Sequence, residues 1–250
     1  MAREIIDKNC SPFISYGNKQ ASRKLEKRSY DLGRNHERGE LNMEEKRVFT
    51  EEELRMMGER TLDLLQAAIE AGDKKTAKKL SKRMYNEFLG MHDLYRDWIT
   101  GLLTFIGKNY GDEVLYEAMK ETVGDLSLRL GKRYANKSTR EKIEILAAGL
   151  RGHLHPIKIE EDDEKFVIHT QPCCGSGGRL VLEGAYDPPG SFLRIKKPQP
   201  MTFNRPNFPV YCAHCYVMGT CPTEPGGKAL MITDPPEKIG EEPCRCYVYK

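Results

Sequence analysis

Proline is almost missing from the first 155 residues of this chain. Pro12 is the only proline before Pro156, although the full sequence of 250 residues contains 14. Proline kinks or ends helices because it lacks an N–H donor and clashes with the preceding turn, so a long proline-free stretch permits long helices. Cysteine shows the same imbalance, since Cys10 is the only one of eight cysteines before Cys173. The sequence therefore predicts two unlike parts.

Long apolar runs and a strong net charge are also missing. The longest apolar stretch, WITGLLTFIG at residues 98–107, is about half the length that crosses a bilayer. The first residues, MAREIIDKNCSPF, lack the apolar segment of a secretory signal. The formal net charge of +3 is too small to indicate nucleic-acid binding. We therefore expect a cytoplasmic protein without membrane or nucleic-acid partners, and its oligomeric state is open.

The first part carries helix start signals. Capping-box patterns, in which a Ser or Thr is followed three residues later by Glu, begin at Thr50 and Ser138. Asp73 is a candidate cap for a helix that runs to about residue 109, and a further helix covers about residues 112–135. Most of this part is therefore predicted to be helical.

The second part consists of short β-branched and aromatic runs that glycine and proline separate. The runs are KFVIHTQ, GRLVLEG, FPVYCAH, ALMITD and CRCYVYK. Such runs are typical of strands, and the Gly/Pro clusters between them indicate turns. The chain therefore predicts an α+β fold, with a helical N-terminal part packed on a small cysteine-rich, mostly antiparallel β unit.

Three segments follow from these patterns. Residues 1–48 are polar and predict an N-terminal arm, residues 49–152 predict a helical domain, and residues 153–250 predict a cysteine-rich metal-binding β domain. The last segment carries few large apolar residues, so a bound metal is a sensible way to stabilise it.

The cysteines of the last segment point to a metal. Cys212 and Cys215 form a C-x-x-C pair, whose two thiolates can reach one tetrahedral ion. The adjacent pair Cys173 and Cys174 is expected to supply one ligand only, because neighbouring side chains on an extended chain point to opposite sides. The candidate ligands are Cys173, Cys174, Cys212, Cys215, Cys244 and Cys246.

Spacing leaves both the ligand set and the metal open. The C-x-x-C pair is completed either by the two cysteines of the C-terminal CRC, or by Cys244 with one of the adjacent pair. Cys221, His169 and His214 are further candidates. Zinc is the expected metal, and an iron–sulfur cluster is the alternative because it also takes four thiolates. Buried cysteines without any metal are the third option.

Two histidines lie between the two parts. In GHLHP, Pro156 favours an extended chain, and this places His153 and His155 on the same side. Such a pair could bind substrate and move protons. A polar linker with two exposed histidines is the alternative.

His92 and Asp93 lie on the longest predicted helix. His92 falls in the row Phe88, His92, Tyr95, so it is expected on or beside the apolar face. This position is typical of a core histidine. The functional alternative is a general base, His92, that the carboxylate of Asp93 orients.

A glycine loop, GSGG at residues 175–178, precedes Arg179. Its free backbone could expose N–H groups to an anion, and Arg179 could add a bidentate contact. A flexible hairpin turn with a surface arginine is the alternative.

These patterns predict a zinc-binding enzyme that acts on a small, anionic substrate at the junction of the two parts, with a metal-dependent hydrolase or lyase as options. The catalytic candidates are His92, Asp93 and His155, and the substrate-binding candidates are His153 and Arg179. The alternative is a non-catalytic zinc-stapled or iron–sulfur module that senses metal or redox state or binds a partner. No particular substrate follows from the sequence.

Overall fold

The structure of the protein, a computed structural model, describes residues 48–221 and 228–250. The predicted polar arm, residues 1–48, therefore lies outside the described residues except for Val48. The chain divides after Met57 into two units, and the second unit contains every described element except most of the first helix. The predicted boundary at residues 152 and 153 stays a prediction.

Helices make up most of the described chain up to residue 151. The α-helices are α1 (Glu51–Gly58), α2 (Thr61–Glu70), α3 (Lys74–Met119), α4 (Asp125–Tyr134), α5 (Thr139–Arg151), α6 (Gly177–Leu182) and α7 (Ala213–Thr220). The predicted caps are confirmed, because the side chains of Thr50, Asp73 and Ser138 each accept a hydrogen bond from the backbone N–H three residues later.

Helix α3 contains one non-helical residue, at the place where the sequence predicts a break. Gly111 has φ 85° and ψ 176°, a backbone conformation that glycine adopts at little cost. A short π-helical segment, Lys120–Gly124, then joins α3 to α4. Between Asp73 and Gly111 the helix is uninterrupted, so side chains four residues apart lie along one face.

The strands form a small antiparallel sheet. They are β1 (Ile157–Glu161), β2 (Lys165–Thr170), β3 (Arg194–Ile195), β4 (Phe208–Pro209), β5 (Ile232–Asp234) and β6 (Arg245–Tyr249). Four of them pair antiparallel in the order β1-β2-β6-β5, while β3 and β4 form a separate antiparallel pair. The predicted α+β fold is confirmed, including strands in KFVIHTQ, ALMITD and CRCYVYK.

Two predicted strands are wrong. GRLVLEG forms helix α6, and FPVYCAH gives two residues of β4, a 3-10 turn and the start of helix α7. Tertiary packing overrides the strand preference of their apolar residues. As a helix, α6 buries Leu180 completely in the core while Arg179 on the same turn reaches the polar residues of α3.

The helical part and the cysteine-rich part share a core. Leu115 and Met119 of α3 are fully buried against Leu180 of α6 and Val217 of α7. Each such side chain stabilises the fold by about 1.5–3 kcal/mol relative to an exposed one. A second cluster packs Ile143 of α5 on the sheet. None of the described helices meets the length and hydropathy required to cross a membrane.

Candidate active site and thiol cluster

One serine hydroxyl joins residues from three distant parts of the chain. Ser176 Oγ, just before α6, lies 2.7 Å from Nδ1 of His153 and 3.2 Å from Nε2 of His92 on α3. The two imidazole nitrogens are 3.3 Å apart, and Nδ1 of His92 lies 3.0 Å from Oδ1 of Asp93. We call His92, Asp93, His153, His155 and Ser176 the serine–histidine cluster.

Helix α3 presents this cluster on a polar face that is buried. Arg96, Thr100 and Thr104 continue the row of His92 at four-residue spacing, and all three are buried. Phe88 and Tyr95, expected beside His92 on a buried apolar face, are 48% and 50% exposed. That expectation is wrong, because the buried row from His92 to Thr104 is polar, whereas Leu103 and Ile106 of the same helix pack against the apolar core.

Two arginines hold the carboxylates around the cluster. Arg179 of α6 contacts Asp93 through Nη2 and lies 3.3 Å from Glu183 through Nε. Arg96 bonds Asp97 through Nε at 2.8 Å and Glu183 through Nη2 at 3.0 Å. Arg179, predicted to bind an anionic substrate, therefore lies beside the cluster with its charge already matched by two carboxylates.

His155 is buried next to His153 without a hydrogen-bonding partner. The residue is only 7% exposed, and neither ring nitrogen has a hydrogen-bonding partner among the described residues. The ring centroids of His153 and His155 are 6.4 Å apart. Buried polar groups are almost always hydrogen-bonded, so this imidazole has donor and acceptor capacity available for a ligand or a water.

Burial keeps the three imidazoles neutral. It lowers the pKa of His153 to about 4, with smaller contributions from the neighbouring histidines. Burial also lowers the pKa of His92, assisted by the charges of Arg179 and Arg96, and the pKa of His155. Neutral imidazoles accept protons at pH 7, which a general base requires.

A second cluster, of thiols, surrounds a small cavity. The cavity has a volume of about 20 Å³, which is room for one water-sized particle. Its lining includes Cys174, Cys212, Cys215, Cys244 and His214. We call these four cysteines the thiol cluster. Among the candidate sets, this is the one that combines the C-x-x-C pair with Cys244 and one member of the adjacent pair.

Burial favours the neutral form of the thiols in the thiol cluster. It raises the pKa of Cys215 to about 11, and it also raises the pKa values of Cys212 and Cys244, where neighbouring thiols add to the effect. A metal ion reverses this by supplying the charge that thiolates need. Nδ1 of His214 donates to the carbonyl of Tyr211, which leaves Nε2 as an acceptor 3.6 Å from the Cys215 sulfur.

The remaining metal candidates lie outside the cavity lining. Cys173 is buried and its thiol contacts the carbonyl of Cys174. Cys246 is buried on β6 beside Thr233, and the ring of His169 bonds Glu160 on the sheet. Within residues 48–221 and 228–250, no group of three or more His, Cys, Asp or Glu side chains stands in position to hold a metal ion. The cysteine side chains would have to turn toward the cavity to share one.

Two glycines join the clusters. A Cβ atom at Gly177 would lie 2.6 Å from the Cys212 sulfur, and one at Gly175 would overlap the carbonyl oxygen of His153. Both distances are too short for any other residue, so the segment from Cys174 to Gly177 passes between the thiols and the histidines. GSGG is therefore a close-packing segment and the start of α6, where the sequence suggested an anion-binding loop or a hairpin turn.

Sequence reasoning missed two members of the site, Ser176 and Glu183. The signal for Ser176 was its place among three glycines, which marks a backbone packed closely against something. Glu183 carried no signal, because in the sequence it cannot be distinguished from an ordinary surface glutamate. Comparisons with protein families, with curated proteins and with solved structures find no match to this chain.

Proposed function

We propose that this protein is a cytoplasmic zinc-binding enzyme that acts on a small substrate at the serine–histidine cluster. The observation that carries the proposal is the meeting of His92, His153 and Ser176, from three separate segments, around one hydroxyl oxygen. A neutral imidazole that a carboxylate orients and a hydroxyl contacts is the arrangement that acid–base and nucleophilic catalysis use. The buried, unpartnered imidazole of His155 supports a ligand at the same place.

The thiol cluster would hold the zinc. Four cysteines around a cavity of about 20 Å³ match the donor set of a closed, structural zinc site. Bound zinc would keep these thiols deprotonated and would stabilise the loops that carry them. All seven cysteines in the described part are free, which supports a compartment such as the cytoplasm, where thiols stay reduced. The chemistry of the reaction belongs to the serine–histidine cluster.

The metal is tested by elemental analysis of the purified protein together with an absorption spectrum. We expect about one zinc ion per chain and no visible absorption. A brown protein with charge-transfer bands would indicate an iron–sulfur cluster, and a metal-free protein with full stability would contradict the zinc proposal.

The enzyme is tested without knowing the substrate. The protein is incubated with a fractionated metabolite extract, and consumption is followed by mass spectrometry against His92→Gln. We expect at least one small compound to disappear with the wild-type protein only. His169→Gln, which changes a histidine on the sheet that bonds Glu160, is the matched control and should behave as wild type. No difference between wild type and His92→Gln would contradict an enzyme.

The ion-pair network favours one alternative function, a non-catalytic zinc-stapled module. In the described part of the chain, the two guanidinium groups beside the cluster, those of Arg96 and Arg179, already contact Asp93 and Glu183. An anionic substrate would therefore have to replace a carboxylate. A protein that contains zinc but consumes no compound of the extract would support the non-catalytic module.

A further inference from the structure

We infer that Ser176 is the nucleophile of an acyl-transfer reaction, with His92 as its general base and Asp93 as the orienting carboxylate. This rests on the proposed enzymatic function and specifies its reaction class as the hydrolysis of a small carboxylic ester or thioester. The nucleophile, the base and the carboxylate are linked by contacts of 3.2 Å and 3.0 Å. A base within hydrogen-bond reach of a hydroxyl, itself held by a third group, is the mark of an activated nucleophile.

The carboxylate beside His92 assigns a direction to the proton transfer. The carboxylate of Asp93 can only accept, so Nδ1 of His92 carries the proton and Nε2 has the free lone pair. Ser176 then donates its hydroxyl proton to His92, and Nδ1 of His153 donates to the serine oxygen at 2.7 Å. These tautomers are assigned from the hydrogen-bond network. His153 is thus a donor aimed at the oxygen that becomes negative as it loses its proton.

The reaction balances with water as the only co-reactant. Ser176 Oγ forms a bond to the acyl carbon while its proton moves to Nε2 of His92. The carbon–oxygen or carbon–sulfur bond to the leaving group breaks, and His92 returns the proton to that group. Water then loses a proton to His92 and attacks the acyl-serine ester, which releases the acid and restores the serine hydroxyl.

Burial restricts the substrate to a small one. Ser176 is 1% exposed, whereas the side chains of Asp93, Arg179 and Glu183 at the edge of the cluster are 32%, 24% and 32% exposed. These partly exposed side chains mark the proposed route by which an acyl group reaches Ser176. His155, with both ring nitrogens unpartnered, is available to bond the acyl group once it is inside.

The test uses diisopropyl fluorophosphate and p-nitrophenyl acetate, two small reagents that modify activated serines. We expect a covalent adduct on the peptide that contains Ser176, and a burst of about one nitrophenolate per chain. Ser176→Ala should lose both, and His92→Gln should slow phosphorylation by the reagent by about 10²–10⁴-fold. Ser127→Ala is the matched control, because Ser127 is a buried serine of α4 whose hydroxyl bonds the Val123 carbonyl.

Peptide mapping of the wild-type protein alone decides the site, so the test stands even if a variant folds poorly. Zinc content is measured on the same samples. An unlabelled Ser176 in zinc-containing protein that still consumes a metabolite overturns the nucleophile and leaves the proposed function intact. A labelled Ser176 in a protein without zinc supports the nucleophile and contradicts the zinc site only.

Discussion

Arg96 Nη2 lies 3.0 Å from Glu183 Oε2, and this contact ties helix α3 to the end of helix α6 across 87 positions of sequence. The guanidinium is almost completely buried, while the carboxylate side chain is about one third exposed. Arg96 also bonds Asp97 on its own helix, so one cation serves carboxylates from two elements. The contact joins the two elements that place His92 and Ser176, since His92 lies on α3 and Ser176 directly precedes α6.

Replacing Arg96 by Met should therefore destabilise the protein. The change keeps apolar volume but removes the cation that Asp97 contacts and one of the two cations beside Glu183, which retains Arg179. We expect the free energy of unfolding to fall by about 2 kcal/mol, less than the roughly 3–5 kcal/mol seen when the remaining charge is fully buried. Urea unfolding measures it. Arg140→Met, which removes an exposed pair with Glu144 on α5, is the control and should change stability by less than about 0.5 kcal/mol. Equal losses of unfolding free energy in the two variants would show that the contact between Arg96 and Glu183 contributes no more than an exposed ion pair.

Replacing Cys212 by Ser should abolish metal binding at the proposed zinc site. Serine cannot replace a thiolate in a four-sulfur site, so we expect zinc content to fall to a small fraction of wild type and the melting temperature to drop. Cys221→Ser is the matched control, because that thiol lies next to Gly124 and outside the cavity lining. Zinc is measured by mass spectrometry of the metal, and stability by thermal melting. A Cys212→Ser protein with full zinc would show that Cys212 is not a ligand.

Adding a methyl group at Gly177 should disturb the thiol cluster directly. A Cβ atom there would lie 2.6 Å from the Cys212 sulfur, so Gly177→Ala should cost about 1–3 kcal/mol by overpacking and weaken zinc retention against a chelator. Gly149→Ala, in α5 with nothing within 4 Å of the new atom, should instead stabilise by about 0.5–1 kcal/mol. Chelator competition and urea unfolding measure the two effects. The two variants should change the free energy of unfolding in opposite directions. A Gly177→Ala protein as stable as wild type would contradict the close approach between Gly177 and the Cys212 sulfur.

Acid should destabilise the protein through His153. Its pKa is about 4 in the folded chain and about 6.5 in the unfolded chain, so the unfolded state binds the proton first. The free energy of unfolding should then be greatest above pH 6.5 and decline as the pH falls toward 4, by at most about 3 kcal/mol from this group.

Chemical unfolding at several pH values measures that decline. His153→Gln removes one of the three buried imidazoles and should reduce the dependence, with the remainder coming from His92 and His155. His169→Gln, which changes the histidine paired with Glu160 on the sheet, should keep the wild-type slope. An unchanged slope in His153→Gln would show that this imidazole is not held neutral by folding.

Local chemistry made part of this structure predictable from the sequence. The caps at Thr50, Asp73 and Ser138 depend on residues three positions apart, and strand β2 follows from its β-branched residues. The same holds for Gly111, which lies in the predicted break of the long helix. Each of these features is decided within a few residues, where spacing carries the information.

Packing between distant segments decided the rest. The residues around Leu180 do not indicate a helix by themselves. Helix α6 forms because Leu180 packs into a core with Leu115 and Met119, which lie about sixty residues earlier in the chain. The row from His92 to Thr104 looks like a polar helix surface, and only its partners on α6 and the following loops explain why it is buried. Which sulfur lines the cavity, and that Ser176 meets two imidazoles, are likewise properties of the assembled fold.

The glycines of the segment between Cys174 and Gly177 also bear on how this sequence can change over generations. Every amino acid that a glycine codon reaches by one base change carries a Cβ atom, and at Gly175 and Gly177 that atom would meet His153 or the Cys212 sulfur. Ser176 therefore lies between two positions at which single-nucleotide substitutions should be selected against. In a library of all single substitutions, replacements at Gly175 and Gly177 should be depleted, most strongly at Gly175 where the new atom meets backbone, while exposed Gly149 accepts many.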